Sequence, residues 1–230
     1  IKSAKLILQM GEKFGFIFHT SSPSIDEILK NKITKKAELE KKYKIKIAIA
    51  APQHVIPVIT KFGIIVLTQH LDDKKVGSTT GFMIPEIIKK SKIDGSLINH
   101  SEHRITESEI KNLVKRLKKL KLKTIVCVKN VGEAKKYAKI NPTFIAIEPP
   151  ELIGTGRAIS TEKPQLITNS INAVQSAKTS TKLLCGAGIV SAEDVSRAVE
   201  LGSKGILVAS GVIKAKNWES ILSDFSRGLV

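Results

Sequence analysis

A closed parallel α/β barrel, (β/α)8, is the fold class that this sequence predicts, and three observations carry the prediction. From Tyr43 onward a unit recurs: a short β-branched apolar stretch, a polar or glycine-containing loop, then an amphipathic segment. Each apolar stretch is too short and too continuously apolar to face water, which suits parallel strands covered by helices. Adding "FGFIFH" near the N-terminus brings the units to eight in 230 residues, near the small end of the usual size for such a barrel. A doubly wound open sheet is the alternative. It needs no eighth strand, and the Gly-rich dinucleotide turn it would show after its first strand is absent. No linker, low-complexity segment or composition shift divides the chain, so residues 1–230 are expected to form a single domain.

The elements follow in order. "FGFIFH" (14–19) precedes a helix-like stretch from about Ile25 to Lys42. The next strands are "IKIAIA" (45–50), "GIIVLTQ" (63–69), "GSLIN" (95–99) and "TIVCV" (124–128), then "FIAIE" (144–148), "KLLCG" (182–186) and "GILVA" (205–209). Between them, "ESEIKNLVKRLKKL" places Ile110, Leu113, Val114, Leu117 and Leu120 on one helical face, the spacing of an amphipathic helix. Thr106–Glu109 ("TESE") and Ser191–Asp194 ("SAED") have the form of capping boxes opening their helices. Loops are short except after Gln69 and after Glu148.

Net charge is +17, carried mostly by lysine. A chain this basic could meet nucleic acid, an anionic membrane or a phosphorylated metabolite. The lysines alternate with the apolar positions of helices, and only seven Phe, two Tyr and one Trp could stack bases. The expectation is therefore a solvated lysine face and no nucleic-acid partner. No apolar run approaches the roughly 20 residues of a membrane helix, and the N-terminus lacks a secretory pattern. A cytoplasmic chain with no membrane partner is expected. Cys127 and Cys185 each close a short apolar segment, which predicts two buried thiols and no disulfide framework.

In a barrel of this kind chemistry gathers at the C-terminal ends of the strands. Four such ends carry unusual residues: His100 in "NHSEHR", Glu148, "CGAGI" and "ASGV". Small residues in the last two let backbone N–H groups approach an anion, and helix N-termini add partial positive charge. The same glycines also suit plain tight turns. A phosphate cup is favoured because barrels place one after strands seven and eight. Glu148 alone would fit a solvated carboxylate, and His100 alone a histidine satisfied near the rim. Together, facing a phosphate cup, they supply a base and an electrophile for a small phosphorylated carbonyl compound. His100 and His103 with Glu102 are a weak metal pattern, since no third ligand has suitable spacing.

These motifs, together with "APQHV", "TQHLDDKKVGSTTGF" and "NPTFIAIEPPELIGTG", resemble the archaeal, shorter form of triosephosphate isomerase, in order and spacing, over roughly residues 43–228. The resemblance implies a (β/α)8 TIM barrel that interconverts dihydroxyacetone phosphate and glyceraldehyde 3-phosphate through an enediolate, with no metal or organic cofactor. It implies Glu148 as the base and His100 as the neutral electrophile. "PPELIGTG" resembles the family's mobile lid, with Ile153 at its closing tip, and Gly188, Ala209 and Ser210 would offer backbone donors to the substrate phosphate. Gln69 and the loop through Gly77 to Gly81 resemble the segment that reaches a neighbouring subunit, implying a homodimer or homotetramer.

One departure stands against the pattern. The family's first strand ends in Asn-x-Lys, whose lysine offsets negative charge on the substrate. The matching stretch here reads Ile17, Phe18, His19, and residues 1–42 otherwise match the family poorly. Losing one such stabilising group costs on the order of 10²–10³ in turnover. Lys13 is a poor substitute, because it would shift the strand by several residues. Two explanations stay open: a catalytically impaired barrel that binds a phosphometabolite or serves assembly, or an N-terminus, beginning at Ile1 with Met10 just before the strand, that is fragmentary or misread.

Overall fold

The computed structural model describes residues 15–19, 37–60 and 63–230. Eight strands run β1 (Gly15–His19), β2 (Lys46–Ala51), β3 (Ile65–Thr68), β4 (Gly95–Ile98), β5 (Lys123–Val128), β6 (Phe144–Ile147), β7 (Lys182–Gly186) and β8 (Gly205–Val208). They pair in sequence order into a closed parallel barrel. Closure comes from β1, which pairs with β8 from Gly15↔Gly205 to Phe18↔Val208 and with β2 at His19↔Ala50. His19 thus ends its strand on the rim that the other strand ends define.

Every predicted strand is present with its ends within two residues of the expectation, β2 and β5 each running one residue further and others trimmed where the backbone turns. Asn99 leaves β4 at φ 62° and Gly63 precedes β3 at φ 64°, so neither continues its ladder. Ala209 departs from β8 at φ −119°, ψ −82°. Strands β4, β6 and β8 are buried at every position. That explains their unbroken apolar runs: side chains on one face fill the barrel and those on the other meet the helices.

Both predicted capping boxes form. In the helix Glu107–Lys119, Thr106 accepts from Glu109 N–H and the Glu109 carboxylate accepts from Thr106 N–H. Its buried face is Ile110, Leu113, Val114 and Leu117, with Leu120 capping its C-terminus. Ser191 and Asp194 do the same for the helix Ala192–Glu200. Residues 37–43 are helical, but most of the helix expected from Ile25 to Lys42 lies outside the described residues, as do Lys13 and Met10. Cys127 and Cys185 are both buried free thiols. No helix among the described residues is long and apolar enough to cross a membrane.

The loop after β3 is tied at its base, where Asp72 N–H donates to Met83 C=O and the Asp72 carboxylate accepts from Met83 N–H, both at 2.8 Å. Arg116 braces it from the neighbouring helix, reaching Asp73 at 3.0 Å and Glu86 at 2.6 Å. Its outer part exposes Val76 and Phe82.

Candidate active site

His100 follows β4 by two residues, and the loop that carries it is internally bonded. His103 N–H donates to His100 C=O at 2.9 Å, closing a turn. Glu102 N–H donates to His100 Nδ1 at 3.3 Å. Nδ1 is the acceptor in that contact, and Nε2 is the ring nitrogen turned toward Glu148. The Glu102 carboxylate, weighed from sequence as part of a metal pattern, is half exposed and 3.9 Å from Nδ1. His103 does not point to a metal either: its ring stacks on His70 from the β3 loop, centroids 3.7 Å apart at 11°. Burial, then the charge His103 would carry, hold His70 below its ordinary value, with Asp72 opposing.

Glu148 stands one residue beyond β6. Its N–H donates to Val128 C=O at 2.8 Å, so the ladder continues through it and aims the side chain at the rim. The residue is 5% exposed. The carboxylate occupies space left open by Gly186 on β7: a Cβ there would lie 2.5 Å from Glu148 Cγ and 2.8 Å from Oε1. This first glycine of "CGAGI" clears room for the carboxylate, a role the sequence reading, which assigned the motif to an anion, did not separate. Cys127 is pushed well above the ordinary thiol range by burial and then by the neighbouring Glu148 charge. Among the described residues no donor reaches Glu148 Oε2.

The two side chains meet. His100 Nε2 lies 3.8 Å from Glu148 Oε1, too far for a direct hydrogen bond and close enough for both to touch one small molecule between them. They line a cavity of about 160 Å³ whose walls also include Ile153, Gly188, Ala209 and Ser210. All six residues singled out in the sequence thus share one wall. Leu207 lines it too; it was read only as strand, and an apolar residue in an apolar run carries no signal to distinguish it.

The segment after Glu148 folds as a short 3-10 turn, Pro150–Leu152, with Leu152 buried beneath it. Thr155 closes the tip by donating from its hydroxyl to Leu152 C=O at 2.9 Å. Gly154 and Gly156 sit at φ 74° and 76°, a conformation other residues adopt only at a cost. Exposed ion pairs Glu151–Lys163 and Arg157–Glu162 flank the tip. Where the segment leaves, it packs on the β7 loop: Ile159 N–H donates to Ala187 C=O at 3.3 Å. A Cβ at Gly188, φ 74°, would collide with the Arg157 carbonyl. The two amides just before the helix that follows β7 are already taken, because Val190 and Ser191 N–H both donate to Asp194 at 3.0 Å. What remains on the cavity wall is the backbone at Gly188, Ala209 and Ser210.

A parallel barrel that brings a buried carboxylate and an imidazole to one cavity, beside small-residue backbone after strands seven and eight, is the arrangement of a barrel enzyme that acts on a small anionic compound. The sequence matches the triosephosphate isomerase family over residues 19–225. It is 48% identical over 188 residues to the triosephosphate isomerase of Cenarchaeum symbiosum, covering 82% of this chain and 84% of that one. The Methanothermus fervidus enzyme of the same name is 42% identical over 84% of this chain and 88% of its own length. For the one from Methanocaldococcus jannaschii the figures are 43%, 76% and 80%. The chain belongs to the triosephosphate isomerase family.

Proposed function

We propose that this chain interconverts dihydroxyacetone phosphate and glyceraldehyde 3-phosphate, with Glu148 as the base and His100 as the electrophile. The substrate phosphate lies on the backbone N–H groups of Gly188, Ala209 and Ser210, placing its carbonyl end between the two side chains. A Glu148 oxygen removes the proton from the carbon next to the carbonyl, and the electron pair forms the enediolate C=C bond. The Nε2–H of His100 stabilises the charge that develops on the carbonyl oxygen and passes the hydroxyl proton across. Protonated Glu148 then returns its proton to the neighbouring carbon. The segment from Pro149 to Gly156 closes over the phosphate with Ile153 at its tip, excluding water that would favour phosphate elimination. The pairing of such a base with a neutral histidine is known of this enzyme family; in this chain the Glu102 N–H, 3.3 Å from Nδ1, supports that form of the ring.

The observation that carries the proposal is the 3.8 Å approach of His100 Nε2 to Glu148 Oε1 on one cavity wall. The second reading, a barrel that binds a phosphometabolite without turnover, rests on the missing Asn-x-Lys. It gives no role to a 5% exposed carboxylate set 3.8 Å from an imidazole, a desolvation that simple binding of a phosphate would not require. The reading further places the protein in the cytoplasm as one barrel domain, assembled as a homodimer or homotetramer through the β3 loop, whose exposed Val76 and Phe82 suit burial against a second copy. A coupled assay with glyceraldehyde 3-phosphate decides the matter. Turnover above a no-protein blank is expected. A chain that binds 2-phosphoglycolate yet yields no product would be a binding barrel.

A further inference from the structure

We propose that Asn99 is the positioning residue that fixes the His100 imidazole against Glu148; the inference rests on the isomerase reading above. Asn99 occupies the residue between the end of β4 and His100, at φ 62°, where asparagine is among the few non-glycine residues tolerated. It is 4% exposed. Both the nitrogen and the oxygen of its side-chain amide are bonded. Nδ2 donates to Cys127 C=O at 3.0 Å, and Oδ1 accepts from Ile105 N–H at 3.2 Å. One side chain therefore binds the return of the histidine loop and ties both ends of that loop to β5.

The choice of β5 matters. Cys127 is followed by Val128, whose carbonyl accepts from Glu148 N–H at 2.8 Å. Consecutive carbonyls of one strand thus hold Asn99, next to the electrophile, and Glu148 itself. The path from His100 to Glu148 runs through the Asn99 side chain, two hydrogen bonds and the Cys127–Val128 step of β5. Arg104 adds a weaker tie to the same Cys127 carbonyl at 3.4 Å. A glycine would satisfy the left-handed backbone equally well but could make neither amide bond, so the need for φ and the need for hydrogen bonds can be separated experimentally.

The test compares Asn99→Gly with the isosteric Asn99→Asp, which keeps the acceptor for Ile105 but replaces the donor to Cys127 with a repelling oxygen. Thr106→Ala serves as a control that weakens the next helix without touching these bonds. Turnover and KM are measured by the coupled assay, folding by circular dichroism, and the His100 ring by 15N resonances of histidine-labelled protein. Asn99→Gly and Asn99→Asp should lower kcat roughly 10- to 100-fold, as misplacement by about 1 Å does, with KM changed less than about threefold, and should shift the His100 ring resonances. Thr106→Ala should lower thermal stability and leave kcat and those resonances unmoved. A folded Asn99 variant of either kind with wild-type kcat and unshifted His100 resonances overturns the proposal. An inactive wild-type chain counts against the proposed function alone, and the ring resonances then decide the role of Asn99.

Discussion

The loop after β4 and the loop after β6 face each other across one cavity, yet different kinds of bond hold them. The β4 loop is pinned by directed hydrogen bonds: Asn99 to β5 and to Ile105, and Glu102 N–H to the imidazole. Its flank is buttressed by the His70–His103 stack. Beyond Glu148, the directed bonds of the β6 loop stay mostly within the loop, in a 3-10 turn and from Thr155 to Leu152, with Ile159 N–H to Ala187 C=O where it leaves; two glycines at positive φ and two exposed ion pairs complete it, and exposed pairs contribute little in water. The difference matches the division of labour proposed here. An electrophile must be in place before the reaction begins, whereas a lid has to open and close in every cycle.

Overfilling the space around the carboxylate breaks this comparison most severely. Gly186→Ala puts a methyl group 2.5 Å from Glu148 Cγ, well inside contact distance. The side chain would be displaced by roughly 1 Å, and kcat should fall about 100-fold while Tm drops through overpacking. Unchanged kcat would mean that the carboxylate finds its place without the clearance of β7.

A smaller effect tests the buttress of the β4 loop. His70 has a lower proton affinity folded than unfolded, because burial and His103 oppose its charge. Between the lowered value and the ordinary 6.5 the unfolded chain therefore binds more protons. Stability conferred by the neutral ring is complete above the ordinary value and is lost as pH falls through that window. Urea unfolding at about pH 7.5 and about pH 5.5 should show that loss in the wild type and a shallower one in His70→Gln. Equal slopes would remove His70 from the account.

The smallest effect is expected on the opposite side. Lys163→Ala removes the partner that holds Glu151 below the ordinary carboxylate range. Because the pair is solvent-exposed, Tm should not move measurably and kcat should change less than about threefold. A large fall in kcat would make the ion pair part of closure.

Much of this contrast was legible in the sequence. Parallel strands buried on both faces must be continuously apolar, so all eight announced themselves, including β1, whose pairing with β8 closes the barrel. Capping boxes are local in sequence, and both formed as read. Glu148 and His100 stood out because charged or titratable residues at the ends of apolar runs are conspicuous. The supports were less legible, because their partners are distant in the chain. Asn99 reaches a carbonyl 28 residues away, His103 stacks on His70, and Gly186 serves Glu148 from the next strand. Only the three-dimensional register brings those groups together. An asparagine directly before a strand-end histidine was the single available hint, since asparagine tolerates a left-handed backbone.

The division between a fixed electrophile and a carboxylate that acts as base is tested most directly by turnover of Glu148→Gln with glyceraldehyde 3-phosphate. The substitution keeps the shape of the side chain and removes its ability to take a proton. The kcat should fall by about 10³-fold or more, with KM changed less than about fivefold. A variant that retains turnover within about tenfold of the wild type would show that the proton leaves the substrate by another route.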